Sequence, residues 1–317
     1  MAANWMRRTL VVAACASATL LAACGSSTTE SAISPSRFVT FGDGFTDMGQ
    51  TGSRYTVNGT GAVDNWANQL ASRYGRTITP QVSGGAGFAQ GNARVTATTD
   101  AAGGTAPSIE AQITSFLNTG RFSAEDLVIV NGGISDLIVG MTAVTAGTST
   151  VDQFNAAATT AGRELGAQVE RLVAAGAQYV LVTNTYNLGR TPWAITIGQT
   201  NTLNAATRAF NDALKIRIES LGKNVLIVDA ESYFNDMTFS PGNFSMDNST
   251  AAVCTSVDPG NGIGTGAGQV NSARCTPSTL LPAADSNRFV FADNVYPAPS
   301  AHRQFGDWAY DRLRNRW

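Results

Sequence analysis

Histidine is nearly absent from this 317-residue chain: His302 is the only one. With a single imidazole, no HExxH pair and no clustered aspartates at ligand spacing, a catalytic metal is not expected. The run Gly84-Gly85-Ala86-Gly87 is followed by no GKS or GKT and fits no dinucleotide-binding spacing. It reads as a turn-rich loop rather than a phosphate cradle, and no cofactor is expected. Charged residues make up only 14% and the formal balance is -2, so there is no basic surface to recruit nucleic acid. No internal repeat and no second linker divide the chain.

What is present begins with an export signal. Arg7 and Arg8 form a basic start, and an apolar stretch from Leu10 runs to Leu21-Ala22-Ala23-Cys24. The stretch is too short for an uncleaved membrane span, and its ending reads as a lipobox. Small residues before Cys24 let a peptidase reach the bond, after which the new amino-terminal cysteine carries acyl chains; several chains together anchor stably. Loss of Arg7 and Arg8 moves the formal balance to -4. The expected parts are a lipoprotein signal peptide over 1–23, a lipidated Ser/Thr-rich tether over 24–37 and one domain over 38–317. Gly25, rather than Asp, after Cys24 resembles lipoproteins sent to the outer membrane of a Gram-negative cell, which implies the cell envelope and a membrane partner through Cys24.

Cysteine is scarce as well. Cys15 leaves with the leader and Cys24 is acylated, so Cys254 and Cys275 remain to pair in an oxidising compartment. Such a bridge closes a loop of about 22 residues, worth roughly 3 kcal/mol in the chain-entropy model.

Along the chain, short apolar runs alternate with helical periodicity. Strands are predicted at Phe38 to Phe41, Asp126 to Asn131, Tyr179 to Val182 and Val225 to Val228. Helices are predicted around Asp64 to Tyr74, along the stripe Phe154, Ala158, Ala161, Leu165, Val169, Leu172, along Leu203, Ala206, Phe210, Leu214, Ile218, and from Ser300 onward. This is an α/β pattern with a mostly parallel sheet, helices on both sides and a site at the strands' carboxyl ends. Residues 236–288 are rich in Gly, Asn, Ser and Pro and read as an irregular excursion held by the cysteine pair.

Five ordered blocks carry a resemblance. Phe41-Gly42-Asp43-Gly44-Phe45-Thr46-Asp47-Met48-Gly49 is similar to FGDSxxDxG, Phe88 to Val95 to YAQGGARV, and Gly132-Gly133-Ile134-Ser135-Asp136-Leu137 to GGANDL. Asn187-Leu188-Gly189-Arg190-Thr191-Pro192 matches a fourth, and Phe291 to Pro297 resembles the block ending in DxxHP. The chain thus resembles the GDSL (SGNH) esterase/lipase family over the whole mature domain, which implies a flavodoxin-like three-layer sandwich.

The same comparison removes the chemistry. Gly44 stands at the family's nucleophilic serine, Asn92 at the oxyanion glycine, Ser135 at the oxyanion asparagine and Tyr296 at the histidine; Asp293 keeps the carboxylate that would orient it. In the family a serine attacks, a histidine takes its proton and N–H donors hold the oxyanion. Glycine has nothing to attack with, and a phenol with a reference pKa of about 10 is a poor base near neutrality. The expectation is a non-catalytic lipoprotein that binds an acylated ligand, a glycan or an envelope protein, in the old ester cleft or on the excursion. The competing expectations are an ester hydrolase or acyltransferase using Thr46 or Ser135 as nucleophile, and a structural envelope component whose cleft Tyr296 fills. His302 reads as a buried or capping residue. Asp43, Asp47, Asp136 and Asp293 read as loop carboxylates that accept backbone N–H bonds.

Overall fold

The structure is a computed structural model that describes residues 33–61 and 64–317. The expected signal peptide and the expected acylation site at Cys24 lie outside the described residues. Among the described residues, no helix is long and apolar enough to cross a membrane.

Four parallel strands lie side by side in chain order: β1 (Arg37–Phe41), β2 (Asp126–Val130), β3 (Tyr179–Thr183) and β4 (Val225–Val228). All five residues of β2 are buried, which is why its sequence is an unbroken apolar run after Asp126 rather than an alternating one. Between β1 and β2 the chain first visits the outer edge, where Thr40 N–H donates to Ala86 O and Phe88 N–H donates back to Thr40 O. The chain therefore leaves β1 in one direction and returns on its other side, opening a crevice where the ends of β1 and β2 diverge.

Helices α1 (Trp66–Ser72) and α8 (Pro299–Arg314) pack on each other, and α2 (Ile109–Thr119), α4 (Val151–Ala174) and α6 (Thr200–Ile218) form a second layer. The apolar stripe predicted for α4 is buried, and the helix starts with a capping box between Thr150 and Gln153. Close approach of α4 and α6 depends on Gly162, where an added Cβ would lie 2.2 Å from the Phe210 carbonyl oxygen. The remaining helices are α3 (Ile134–Thr145), α5 (Pro192–Thr196) and α7 (Ala230–Phe239). This is the α/β sandwich that the sequence predicts.

Three boundaries differ. α1 is shorter than 64–74 because Asn65 caps it, its side chain accepting from Ala67 N–H. The folded unit starts before residue 38, inside the span expected as tether: Ile33 and Pro35 are buried and Ser36 N–H donates to Glu125 O. The 236–288 excursion is not wholly irregular. It begins inside α7, and β5 (Asn248–Ala252) pairs in parallel with β8 (Phe289–Phe291), while β6 (Val257–Asp258) and β7 (Gln269–Val270) form a small antiparallel pair. Cys254 and Cys275 are joined, with Cα atoms 5.9 Å apart. Both are buried in a small apolar cluster with Val57, Val253, Ala292 and Ala298.

Candidate functional site: a closed centre

The loop after β1 is built by its two aspartates. Asp43 accepts from Phe45 N–H at 3.1 Å, from the Asn131 amide at 2.6 Å and from Ile134 N–H at 3.3 Å. It thereby ties the first block to the end of β2 and the start of α3. Asp47 accepts from Gly49 and Gln50 N–H and, through its second oxygen, from Gly91 N–H at 2.8 Å, which fastens the second block to the first. Burial pushes both carboxyls up to about 6, with the N–H donors opposing it. Asp136 takes Arg94 Nε and Val95 N–H, both at 3.0 Å, joining the second block to the third. Each of these carboxylates is spent on loop geometry. Among the described residues no group of three or more His, Cys, Asp or Glu is placed to hold a metal ion.

Glycine is needed at Gly133, the residue before α3, where φ is +107° and an added Cβ would meet the Phe210 ring at 2.5 Å. Asn92 shows why the family pattern carries glycine there: its φ is +63°, a left-handed conformation that asparagine tolerates better than most residues. Its amide donates to Gly262 O at 2.9 Å, reaching into the excursion.

The last block meets the first at Gly44. Asp293 does not face an imidazole. It accepts Val295 N–H at 2.7 Å, Tyr296 N–H at 2.6 Å and Ser272 N–H at 2.8 Å, holding its own turn and the excursion together. The turn aims Tyr296 inward. Its ring is fully buried, packs on the Tyr55 ring with centroids 4.9 Å apart, and ends where a Gly44 side chain would begin: an added Cβ would sit 2.7 Å from both Cζ and the hydroxyl oxygen. Burial, with Asp43 nearby, drives the phenol pKa well above its ordinary value, away from any use as a base. Gly44, Ser135, Asp293 and Tyr296 are all buried, so the cleft expected to receive an acylated ligand is filled by an aromatic ring.

The fallback nucleophiles fare no better. Thr46 is buried and its hydroxyl receives the Trp66 indole N–H at 3.2 Å, while the Trp66 backbone N–H donates to His302 Nδ1 at 3.3 Å. One tryptophan thus occupies both the candidate hydroxyl and the one imidazole, and the two are not bonded to each other. His302 stacks on Phe45 at 5.3 Å, and burial pushes its pKa down to about 3. It is both buried and a cap, since Trp66 is the first residue of α1. Ser135 is buried, and its hydroxyl has no hydrogen-bond partner among the described residues.

Tyr55, Trp66, Asn131 and Ser272 take part in this centre and were not legible as site residues. Asn131 had a signal, a polar side chain directly after a buried strand; Tyr55, in a loop, and Ser272, opening a short 3-10 turn, had none.

No curated protein matches this chain. Among solved structures, a carbohydrate acetylesterase from Sinorhizobium meliloti resembles it at 12% identity and a TM-score of 0.47, over 89% of this chain and 99% of that one. The sequence pattern of the GDSL-like lipase/acylhydrolase family matches residues 38–309, the span that carries all five blocks and the parallel sheet beneath them, and the chain belongs to that family.

Proposed function

We propose that this chain is a lipid-anchored envelope protein that has kept the fold of an ester-hydrolase family, has lost hydrolysis and acts by binding. The observation that carries the reading is Tyr296, whose ring stands in the space of the missing serine side chain within a buried centre. Losing a nucleophile or a general base alone costs on the order of 10⁶-fold in the serine-protease analogue. Here both are replaced, and the space that a serine side chain would need is occupied by the Tyr296 ring. Binding of an acylated ligand, a glycan or an envelope protein then falls to surfaces outside the closed centre.

The lipid anchor rests on the Leu21-Ala22-Ala23-Cys24 sequence, with the outer membrane as destination. Two readings compete: hydrolysis through Thr46 or Ser135, neither of whose hydroxyls is hydrogen-bonded to a base among the described residues, and a structural envelope component, which the Tyr296 ring in the cleft favours.

A fluorophosphonate reagent, which phosphonylates activated serine and threonine hydroxyls, tests the loss of hydrolysis by intact mass. The reading expects the unmodified mass; a stoichiometric adduct mapped to Thr46 or Ser135 overturns it. Metabolic labelling with an alkynyl fatty acid tests the anchor, which a Cys24→Ala variant should abolish.

A further inference from the structure

Beside the closed centre lies an open one. A cavity of about 390 Å³ is enclosed by the loop after β3, the start of α6, the end of α7 and β5, within the size range of small-ligand sites. The loop that forms its wall also touches the centre: Tyr186 donates its hydroxyl to Val295 O and Trp193 N–H donates to Asn294 O. The cavity thus lies next to the turn that carries Tyr296, and none of the four replaced family positions, nor the retained Asp293, lines it.

Its chemistry is set by one asparagine. Gly189 N–H donates to Asn187 Oδ1 at 2.9 Å, which fixes the orientation of the Asn187 amide. Asn187 Nδ2 then donates to Asn204 Oδ1 at 2.9 Å and to Asn235 Oδ1 at 3.1 Å. Each neighbour thus has its Oδ1 turned toward Asn187 and its Nδ2, a donor with no partner among the described residues, free for a ligand. Two guanidinium groups join them in the wall, Arg190 and Arg208. Arg208 has Glu231 at 3.9 Å, whereas Arg190 pairs with no carboxylate among the described residues. A wall so rich in donors and carrying a net positive charge suits a ligand rich in acceptors and negatively charged.

The rim narrows the class further. Phe239, 77% exposed, does not line the cavity itself, but it follows the lining residue Thr238 and lies one helical turn beyond the lining residue Asn235, on the same face of α7. Ile195, 46% exposed, also lines the cavity. A large exposed aromatic beside a ring of amide and guanidinium donors offers a stacking face for a sugar and hydrogen bonds for its hydroxyls. From this we infer that the cavity is a binding site for an acidic saccharide, a carboxylate-bearing sugar unit whose anionic group meets Arg190 and whose ring lies against Phe239. The inference rests on the binding role proposed above and gives it a site and a ligand class.

Isothermal titration of the soluble protein with trigalacturonic acid, maltotriose and sodium phosphate tests it. Saturable binding of trigalacturonic acid is expected, with maltotriose weaker. Arg190→Ala and Phe239→Ala should each weaken it by about tenfold or more, the loss of one anchoring contact. Both side chains are exposed, so the variants fold. No binding of trigalacturonic acid overturns the proposal, as does equal binding of phosphate or indifference to Phe239→Ala, which would mean an anion site without a saccharide. Failure of the non-catalytic reading is registered separately, as ester turnover by the native protein.

Discussion

A Cβ placed on Gly44 would lie 2.7 Å from Cζ and from the hydroxyl oxygen of Tyr296, so the first and last family blocks compete for one volume. The glycine and the tyrosine are therefore a matched pair. Backbone geometry does not demand the glycine, since Gly44 is not among the positive-φ residues; the tyrosine ring does. Gly44→Ser alone should cost about 1–3 kcal/mol through overpacking against a rigid, buried ring. In a Tyr296→His background the serine should cost less, with a coupling of about 1 kcal/mol or more. Urea denaturation of the four proteins of this cycle measures it; additive effects would mean the two positions do not share space.

The Tyr296 hydroxyl is buried and has no hydrogen-bond partner among the described residues. A phenol in that state carries its desolvation penalty without return, so Tyr296→Phe should be neutral or stabilising by up to about 1 kcal/mol. The same denaturation experiment reads it. A loss of more than about 1 kcal/mol would show that the hydroxyl is bonded in solution.

His302 gives a pH test that no other histidine obscures, because it is the only one. Its folded pKa is depressed to about 3 from an ordinary 6.5 by burial. A depressed pKa contributes stability that is present above the unfolded value and lost as pH falls. Between pH 6.5 and pH 4.5 the native protein should lose about 2–3 kcal/mol from this group. Asp43 and Asp47, raised to about 6, act in the opposite sense: their contribution is present at low pH and lost as pH rises through 6. The His302 share is isolated by His302→Asn, whose amide oxygen can accept from Trp66 N–H. Its stability relative to the native protein should improve by that amount at pH 4.5. The single imidazole resonance should also stay in its neutral position across pH 5 to 8, whereas an exposed base would titrate there.

The disulfide holds the lid of the centre. Asn58 N–H donates to Cys275 O at 2.8 Å and its amide reaches Ser272 O at 3.2 Å, fixing the loop that lays Tyr55 on Tyr296. Replacing Cys254 and Cys275 by alanine should cost roughly 3 kcal/mol. Hydrogen exchange should accelerate at Tyr55 to Asn58 before it does in β2. Uniform acceleration across the domain would separate the bridge from the lid.

Much of this fold was legible because its signals are local. β2, β3 and β4 are apolar runs bounded by polar residues, and the α4 stripe Phe154 to Leu172 keeps helical spacing throughout. Gly44, Ser135 and Tyr296 were read as replaced positions because the residues around them follow the family pattern. The closure was not legible. It depends on Tyr55, brought onto Tyr296 by a loop whose anchor, Asn58, finds its partners in the excursion. The excursion itself hid its strands, since the Asn-Ser-Thr-Ala-Ala of β5 has no apolar alternation and is ordered through backbone pairing with β8 and the neighbouring disulfide. The Asn187 cavity was equally invisible, being assembled from four separated segments. Nor could spacing reveal that Trp66 takes both Thr46 and His302.

Turnover of p-nitrophenyl acetate by the soluble native domain, run beside a variant carrying Gly44→Ser, Asn92→Gly, Ser135→Asn and Tyr296→His, tests the central claim most directly. The account predicts a native rate equal to the buffer blank and measurable, saturable turnover in the restored variant, which regains nucleophile, base and oxyanion donors on an unchanged sheet. Saturable native turnover that disappears in Thr46→Ala or Ser135→Ala would contradict it.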